Sequence, residues 1–225
     1  MNFKRARTDE QRAERRRAIL ATADALLAEM PVAELSFNEL SRRVGLAKAN
    51  IVRYVESREA VLLDLLDRHV RDWIAELAES APGPGSVRER GDRLARLVAE
   101  SVTRRPVLCD LISSQAAVLE RNVSTEVALE HKRALRRALE SLVAVVRRHV
   151  PELTEQAAYE LVGTAHLVTA AAWPHSRPSE ALRAAYELDP AVAATRVDFT
   201  ELVRRTLEVA ISGLLARERE RPTVP

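Results

Sequence analysis

The sequence has few of the residues that build disulfides, metal centres and membrane spans. Cys109 is its single cysteine, which excludes an internal disulfide and a multi-cysteine metal site. Aromatic residues make up 4% of the chain, so helix is favoured over sheet. No run of about 18 apolar residues could cross a membrane. The stretch from Lys4 to Arg17 is charged, unlike the apolar stretch of a signal peptide, so we expect a cytoplasmic protein.

Motifs of the common enzyme classes are also missing. The chain has no P-loop, dinucleotide-binding fingerprint, H-E-x-x-H zinc helix or G-x-S-x-G elbow. Its histidines are scattered rather than grouped at metal-ligand spacing, at His69, His131, His149, His166 and His175. We therefore expect no enzymatic activity, no metal and no cofactor. A helical enzyme without a recognisable motif is the remaining alternative within that class.

The chain does have the composition of a helical globular protein. Of its 225 residues, 47% are apolar and 30% are charged, and Ala, Leu, Arg and Glu are abundant. Apolar residues recur at helical spacing, which predicts an all-α fold of about nine helices without a convincing strand. Pro174 and Pro178 are expected to end the helix over 161–173, and a loop should then run to Asp189. Capping boxes predict helix starts at Thr8, Ser36, Ser86 and Asp198. Ser57 can cap the fourth helix, and Asp189 followed by Pro190 predicts a further helix start.

The most informative segment runs from Ser36 to Arg58, with the sequence SFNELSRRVGLAKANIVRYVESR. Gly45 is the only glycine in the first 82 residues, and it lies between two amphipathic patterns too short to be stable alone. Because glycine enters a left-handed turn at little cost, this pattern predicts a helix, a tight turn and a second helix. Basic and polar residues begin the second helix, which indicates a helix-turn-helix reader of DNA. Its inner face should carry Ile51, Val52 and Val55.

Positive charge is concentrated in the same part of the chain. Residues 1–58 hold 12 Lys and Arg against 8 Asp and Glu, whereas the remainder holds 23 against 25. The overall net charge of +2 hides this asymmetry. A module that faces DNA phosphates needs such an excess, although without the motif a solvated charged surface would be the better explanation.

The stretch from Arg16 to Leu66 resembles the tetracycline-repressor (TetR) family of bacterial regulators. The resemblance is carried by RRAILATADALLAE in the first helix, by SFNELSRRVGLAKANIVRYV, and by ESREAVLLDLL in the fourth helix. It implies a DNA-binding domain over 1–60 and a ligand-binding and dimerisation domain over 61–225. Ala47, Val52, Val55 and Glu56 depart from the family's usual residues, so the operator sequence does not follow by analogy.

The second helix of such a motif presents its N-terminal residues to base edges in the major groove. Arg53 can form a bidentate pair with guanine, and Asn50 can bond adenine or a phosphate. Tyr54 either places its hydroxyl on a phosphate or packs as a half-buried residue. Lys4, Arg5 and Arg7 either follow the DNA or form a tail without function. The predicted DNA-binding residues are Ser36, Arg43, Lys48, Ala49, Asn50, Arg53, Tyr54 and Arg58, of which Arg43 could instead be solvated surface.

A palindromic operator requires a two-fold dimer. The helix over 161–173 is apolar nearly all round, and the last helix carries the small residues Ala210 and Gly213. We expect these last two long helices to form a four-helix interface with a second copy. The alternative is that the 161–173 helix is a central core helix without a partner.

Polar or flat side chains within apolar helices are the only markers of a signal-receiving site. The candidates are Trp73, Gln115, Asn122, His166, Thr169 and Trp173. Each has a simpler interpretation, because a lone histidine or tryptophan in such a helix is more often a core or interface residue. Cys109 is expected to be a small buried residue rather than a redox sensor. The shortage of aromatics favours an aliphatic or acyl-like effector over a planar polyaromatic one.

These observations predict a repressor that binds a palindromic operator as a homodimer and is released by a small-molecule effector. The effector would favour a dimer conformation whose two DNA modules no longer match the half-site spacing. A DNA-binding protein without small-molecule control, either partner-gated or architectural, is the alternative.

Overall fold

The computed structural model describes the backbone of residues 2–219 and the side chains of residues 10–218. Within this part the chain forms eleven α-helices and no strand, which confirms the all-α prediction. The helices are α1 (Asn2–Glu29), α2 (Phe37–Val44), α3 (Lys48–Ile51), α4 (Arg58–Glu79), α5 (Val87–Thr103), α6 (Pro106–Ser114), α7 (Thr125–His149), α8 (Glu155–His175), α9 (Glu180–Leu188), α10 (Pro190–Ala193) and α11 (Phe199–Arg219). A short 3-10 turn, Val32–Glu34, follows α1, and a π-helical turn, Gln115–Leu119, follows α6. None of the described helices is long and apolar enough to cross a membrane.

The chain divides into two compact units. The first comprises residues 1–69 and 114–134, and the second comprises residues 70–113 and 135–225. The chain therefore passes from one unit to the other within α4 and within α7. The predicted boundary at residue 60 concerned function and remains a prediction. The inclusion of residues 114–134 in the first unit is a feature that local sequence patterns do not indicate.

In the first unit, short helices are held in place by local caps and a small apolar core. Ser36 caps α2 by accepting a hydrogen bond from the Glu39 amide (3.2 Å), and Ser57 caps α4 through the Ala60 amide (3.0 Å). The predicted helix starts at these positions are confirmed. The apolar faces of α1 to α4 meet in a core whose fully buried members include Ile19, Leu26, Leu40, Ile51, Leu62, Leu65 and Leu66.

The first helix begins earlier than its predicted start. The backbone is helical from Asn2, so the capping box placed at Thr8 is wrong as a helix start. The reason is that the stretch over 2–7 contains Lys, Ala and two Arg, which are good helix formers and extend the helix towards the N-terminus. The proposed DNA contacts of Lys4, Arg5 and Arg7 fall on side chains outside the described part.

In the second unit, α11 packs against both α5 and α8. Gly91 makes the closest approach to α11 possible, because a Cβ at this position would lie 2.8 Å from Ile211 Cγ2. The buried helix faces meet around a core that includes Leu94, Ala99, Leu108, Leu111, Leu161, Val203 and Leu207. The capping box at Ser86 and Glu89 is confirmed, since Ser86 accepts from the Glu89 amide while the Glu89 carboxylate accepts from the Ser86 amide.

The segment after α8 corrects the prediction of about nine helices. The helix runs from Glu155 through Pro174 to His175, so Pro174 does not end it. The stretch predicted as a loop before Asp189 contains α9, which Ser179 caps through the Leu182 amide. Asp189 then caps α10, as its Asp-Pro sequence predicted. The helix α9 was missed because Pro174 and Pro178, which precede it, were interpreted as the start of a loop.

Candidate functional site

The turn between α2 and α3 has the conformation that its glycine predicted. Gly45 adopts φ 71° and ψ 26°, a left-handed conformation that costs an L side chain free energy. The amides of Gly45 and Leu46 both donate to the Ser41 carbonyl, at 3.0 and 3.2 Å. These two bonds close the C-terminus of α2, and the Ser41 hydroxyl in turn donates to the Leu46 carbonyl. The turn therefore sets the direction in which α3 leaves.

The short helix α3 presents its first residues to solvent. Lys48, Ala49 and Asn50 are all exposed, and in the part of the chain with described side chains neither Lys48 nor Asn50 has a side-chain partner. Ala47 occupies the N-cap position and makes no side-chain cap, as its lack of a hydroxyl requires. Three consecutive side chains are thus left available to an external partner.

The inner face of this helix is smaller than predicted. Ile51 is fully buried and Val55 is 6% exposed, as expected. Val52 is 50% exposed, so its placement on the inner face is wrong. The cause is the brevity of α3, which ends at Ile51 and continues as a turn that rotates Val52 outwards.

Arg53 and Tyr54 follow on that turn. The Arg53 side chain is exposed, and its backbone carbonyl accepts a hydrogen bond from the Arg12 guanidinium at 3.1 Å. This bond fixes the backbone at Arg53 to α1 while its own guanidinium stays free of any partner in the described region. Tyr54 is half-buried, so both roles weighed for it, phosphate contact and packing, stay open as predictions.

The remaining DNA-binding candidates already have protein partners. Arg43 pairs with Glu29 and lies 3.7 Å from a Glu39 oxygen, and its hydrogen bond with Glu29 raises the pKa of Arg43. Arg58 donates to the carbonyls of Leu35 and Val32. The Arg58 guanidinium therefore joins α4 to the chain before α2, and a DNA phosphate would have to share it. Ser36 is exposed at the N-terminus of α2.

One contact near this surface escaped the sequence analysis. The Glu56 carboxylate accepts two hydrogen bonds from Ser124, from its amide at 2.6 Å and from its hydroxyl at 2.7 Å. The two residues are 68 positions apart, and no local pattern connects them. Glu56 departs from the usual residues of the family that the segment resembles, but this departure does not identify its partner.

The six effector-site candidates are divided between the two units. Trp73 is buried in the second unit, where its indole N–H donates to Ser101 Oγ at 2.9 Å. Gln115 belongs to the first unit, where its amide nitrogen donates to Glu120 (2.8 Å) and lies 3.0 Å from His131 Nε2. Asn122, also in the first unit, is exposed.

The other three candidates lie on α8. Thr169 and Trp173 are both buried, one helical turn apart, whereas His166 is exposed. The Trp173 ring meets Phe199 edge-on, with 5.2 Å between ring centroids, and the Arg177 guanidinium lies 4.3 Å from the Trp173 ring centroid. The buried Trp173 indole N–H has no acceptor among the described residues. A buried donor without a partner is costly, so this position is where an external acceptor would gain most.

Two further features of the second unit bear on function. Burial raises the pKa of Cys109 to about 12, so its thiol stays protonated and unreactive at neutral pH. An open groove of about 470 Å³ is lined by residues of α7 and α8, including Arg147 and Tyr159, and none of the six candidates lines it. Among residues 10–218, no group of three His, Cys, Asp or Glu side chains could hold a metal ion.

The helices, the left-handed glycine turn and the exposed start of α3 define an all-helical protein with a helix-turn-helix module. A family model described as the tetracyclin repressor-like C-terminal domain matches residues 67–218. Since this match spans more than half of the chain, the protein belongs to the tetracycline-repressor (TetR) family.

A curated relative matches part of the chain. The HTH-type transcriptional regulator EthR of Mycobacterium tuberculosis is 41% identical over 71 residues, which are 32% of this chain and 33% of that protein. The chain thus aligns with about a third of the length of the curated relatives it matches.

Two solved structures resemble nearly the whole chain. A TetR transcriptional regulator from Rhodococcus sp. RHA1 has a TM-score of 0.55 at 15% identity and covers 90% of this chain and 97% of that one. FadR from Bacillus subtilis in complex with stearoyl-CoA has a TM-score of 0.54 at 15% identity and covers 87% and 97%. At these identities the likeness shows the shared fold alone.

Proposed function

We propose that the protein is a transcriptional repressor that binds a palindromic DNA operator as a homodimer and is released by a small-molecule effector. The observation that carries the proposal is the exposed run Lys48, Ala49 and Asn50 directly after the Gly45 turn. These side chains lie at the start of the helix that enters the major groove in this motif. Lys48 and Asn50 have no partner in the described part of the protein, so binding DNA would break no existing side-chain contact.

The homodimer is supported by apolar side chains left exposed on α8 and α11. Leu167 is 68% exposed on α8, while Leu202 and Val209 are 41% and 71% exposed on α11. Leu202, Val209 and the exposed Gly213 recur at helical spacing along one face of α11. A Cβ at Gly213 would meet no atom within 4 Å, so this face has room for a second helix. Clustered apolar exposure of this kind is typical of an interaction surface.

The effector site is proposed around Trp173 and Thr169 in the second unit. The unpartnered Trp173 indole N–H would donate to an acceptor on the effector, and Arg177 above the ring would favour a negative group. FadR of Bacillus subtilis, which shares the fold, was solved with stearoyl-CoA. An acyl-type effector therefore deserves the first trial, because the scarcity of aromatics in this chain also favours an aliphatic ligand.

The test begins with selection of DNA fragments that the purified protein binds, taken from the genome that encodes it. We expect the recovered fragments to share a palindrome, because a two-fold dimer reads two half-sites. Fluorescence anisotropy on that palindrome should then give weaker binding for Lys48→Ala and Asn50→Ala. Arg88→Ala, which removes a positive charge from an exposed position of the second unit, is the matched control. Recovery of random fragments would reject sequence-specific binding.

Small-molecule control is tested on the same palindrome by adding acyl-CoA esters of increasing chain length. An effector should weaken operator binding in the wild type and lose potency in Trp173→Phe, which removes the indole donor but keeps an aromatic ring. If metabolite extracts and acyl-CoA esters leave the operator affinity unchanged, the alternative is favoured, which is a DNA-binding protein without small-molecule control.

A further inference from the structure

Glu56 lies three residues beyond Arg53, at the end of the turn that follows α3. We propose that Glu56 is a positioning residue, which holds this DNA-reading turn by binding Ser124 at the N-terminus of α7. This inference rests on the proposed function for its DNA-binding consequence, but the contact itself is independent of it. The segment 114–134 thereby becomes part of the DNA reader rather than a remote part of the chain.

The geometry of the contact suits a carboxylate. Both Glu56 oxygens are used, Oε1 by the Ser124 amide and Oε2 by the Ser124 hydroxyl. The Ser124 oxygen meanwhile accepts from the Val127 amide at 3.3 Å and so caps α7. The first turn of a 25-residue helix carries partial positive charge, which favours an anion at this position. A glutamine in place of Glu56 would lose this charge, and its NH2 group would have to donate to the Ser124 oxygen instead of accepting from it.

A buried polar network holds the same segment from its other side. His131 is 3% exposed, and its Nδ1 lies 2.8 Å from Asp67 Oδ1 on α4. Its Nε2 lies 3.0 Å from the Gln115 amide nitrogen, which also donates to Glu120. Lys132 completes the network by donating to the same Glu120 oxygen at 2.8 Å. Because this network fixes the segment 114–134 to α4, the Glu56–Ser124 contact can in turn restrain the turn that carries Arg53.

The charge of Glu56 gives the contact a second consequence. A carboxylate three residues from Arg53 lies within the screening length of the phosphates that Arg53 would approach. Its two hydrogen bonds to Ser124 hold it at a helix N-terminus, where its charge is compensated. Loss of the contact would therefore make the turn that carries Arg53 more mobile. It would also leave the negative charge of Glu56 uncompensated beside that turn.

The first experiment measures amide hydrogen exchange in the full-length protein without DNA. In Glu56→Ala we expect exchange of residues 46–56 and of Ser124 to rise by about tenfold, the factor expected when a local contact is lost. Exchange in α5 should stay at its wild-type rate. Glu126→Ala is the matched control, because it removes an exposed carboxylate from the first turn of α7. Unchanged exchange at residues 46–56 in Glu56→Ala would overturn the proposal.

The second experiment is a double-mutant cycle on the selected palindrome. Ser124→Ala removes the hydroxyl bond to Glu56 together with the cap on the Val127 amide but keeps the Glu56 charge, and we expect it to lower affinity about fivefold. In the Glu56→Ala background the same change should have less than about a twofold effect, because only the loss of the cap remains. Ser141→Ala is the matched control, since the Ser141 hydroxyl bonds only within α7, to the Arg137 carbonyl.

The two experiments separate the proposal from the proposed function. An equal loss from Ser124→Ala in both backgrounds would mean that Ser124 acts without Glu56, which overturns the positioning role. A protein that binds no DNA would refute the proposed function, while the exchange measurement would still decide whether Glu56 holds the turn. Ser124→Thr keeps the amide and the hydroxyl, so it should retain wild-type exchange and affinity.

Discussion

The two units of this protein use their polar side chains in opposite ways. In the first unit, Lys48, Asn50 and Arg53 are left exposed and without side-chain partners in the described part of the chain. In the second unit, most buried polar groups are hydrogen-bonded within the protein, as the Trp73 indole is to Ser101. Trp173 Nε1 and Arg90 Nε are the exceptions, because neither buried nitrogen has a partner among the described residues. On the proposed function, exposed side chains mark the DNA-binding turn, whereas an unsatisfied buried donor marks the effector site.

This difference has a physical origin. The turn at Gly45 needs only a left-handed residue and two bonds to the Ser41 carbonyl, all within six residues. The surroundings of Trp173 depend on Phe199, 26 positions away, and on how α8 and α11 pack. The first arrangement is encoded locally, whereas the second depends on side-chain packing across the whole unit.

The largest expected effect comes from breaking the proposed dimer face in the second unit. A double substitution, Leu167→Glu and Val209→Glu, places charges on the two most exposed apolar positions of α8 and α11. We expect the 25.1 kDa chain to become a monomer and operator affinity to fall by about 100-fold or more, because only one half-site is then held.

Light scattering and anisotropy on the palindrome measure both effects. Leu188→Glu is the control, since Leu188 is also exposed but lies on α9 rather than on the proposed interface. A variant that stays dimeric would place the interface elsewhere.

A smaller effect is expected from the local geometry of the first unit. Gly45→Ala must adopt φ 71°, although no atom lies within 4 Å of the new Cβ, so the cost is backbone strain alone. We expect a loss of about 1–2 kcal/mol in the free energy of unfolding by urea. Gly45→Asn should lose less, because asparagine tolerates the left-handed conformation. Equal stability of all three proteins would contradict the role assigned to the turn.

The second unit should respond to acid through a buried histidine. Burial and the neighbouring charge of Arg148 lower the pKa of His149 from its ordinary value of 6.5. Below pH 6.5 the unfolded chain therefore binds a proton that the folded chain resists, and stability falls as the pH falls.

The melting temperature of the wild type should therefore drop more between pH 7.5 and pH 5.5 than that of His149→Gln. Glutamine can keep a donor towards Ser80 Oγ, which His149 Nε2 approaches at 3.2 Å. Parallel curves for the two proteins would remove His149 as the source of the acid sensitivity.

The smallest expected effect concerns Cys109. With a pKa of about 12 and a side chain that is fully buried, its thiol should not react with a disulfide reagent at pH 8 while the protein is folded. Full reaction in urea, followed by absorbance, is the positive control. Rapid reaction of the folded protein would instead support a redox role for Cys109.

The sequence predicted the features that depend on nearby residues. The all-α fold, the Gly45 turn and the caps at Ser36, Ser57, Ser86 and Asp189 follow from patterns of two to four residues. The helix α9 was missed because the prolines before it, Pro174 and Pro178, were interpreted as the start of a loop. Val52 was misplaced because a four-residue helix is too short for a periodicity to fix its faces.

Features that depend on distant residues were beyond prediction. The Glu56–Ser124 contact and the bond from Arg12 to the Arg53 carbonyl join positions 68 and 41 residues apart. Nothing in either local sequence distinguishes these side chains from solvated surface. The same holds for the effector candidates, of which Trp73 and Gln115 are engaged by partners 28 and 16 positions away.

The central claim is that α3 and the turn that follows it read DNA sequence through their exposed side chains. Its most direct test is the base preference of Arg53→Ala, measured over all single substitutions of the selected palindrome. We predict a loss of about 1–3 kcal/mol in binding free energy and a relaxed preference at one base position of each half-site. Unchanged affinity together with an unchanged preference at every position would contradict the account.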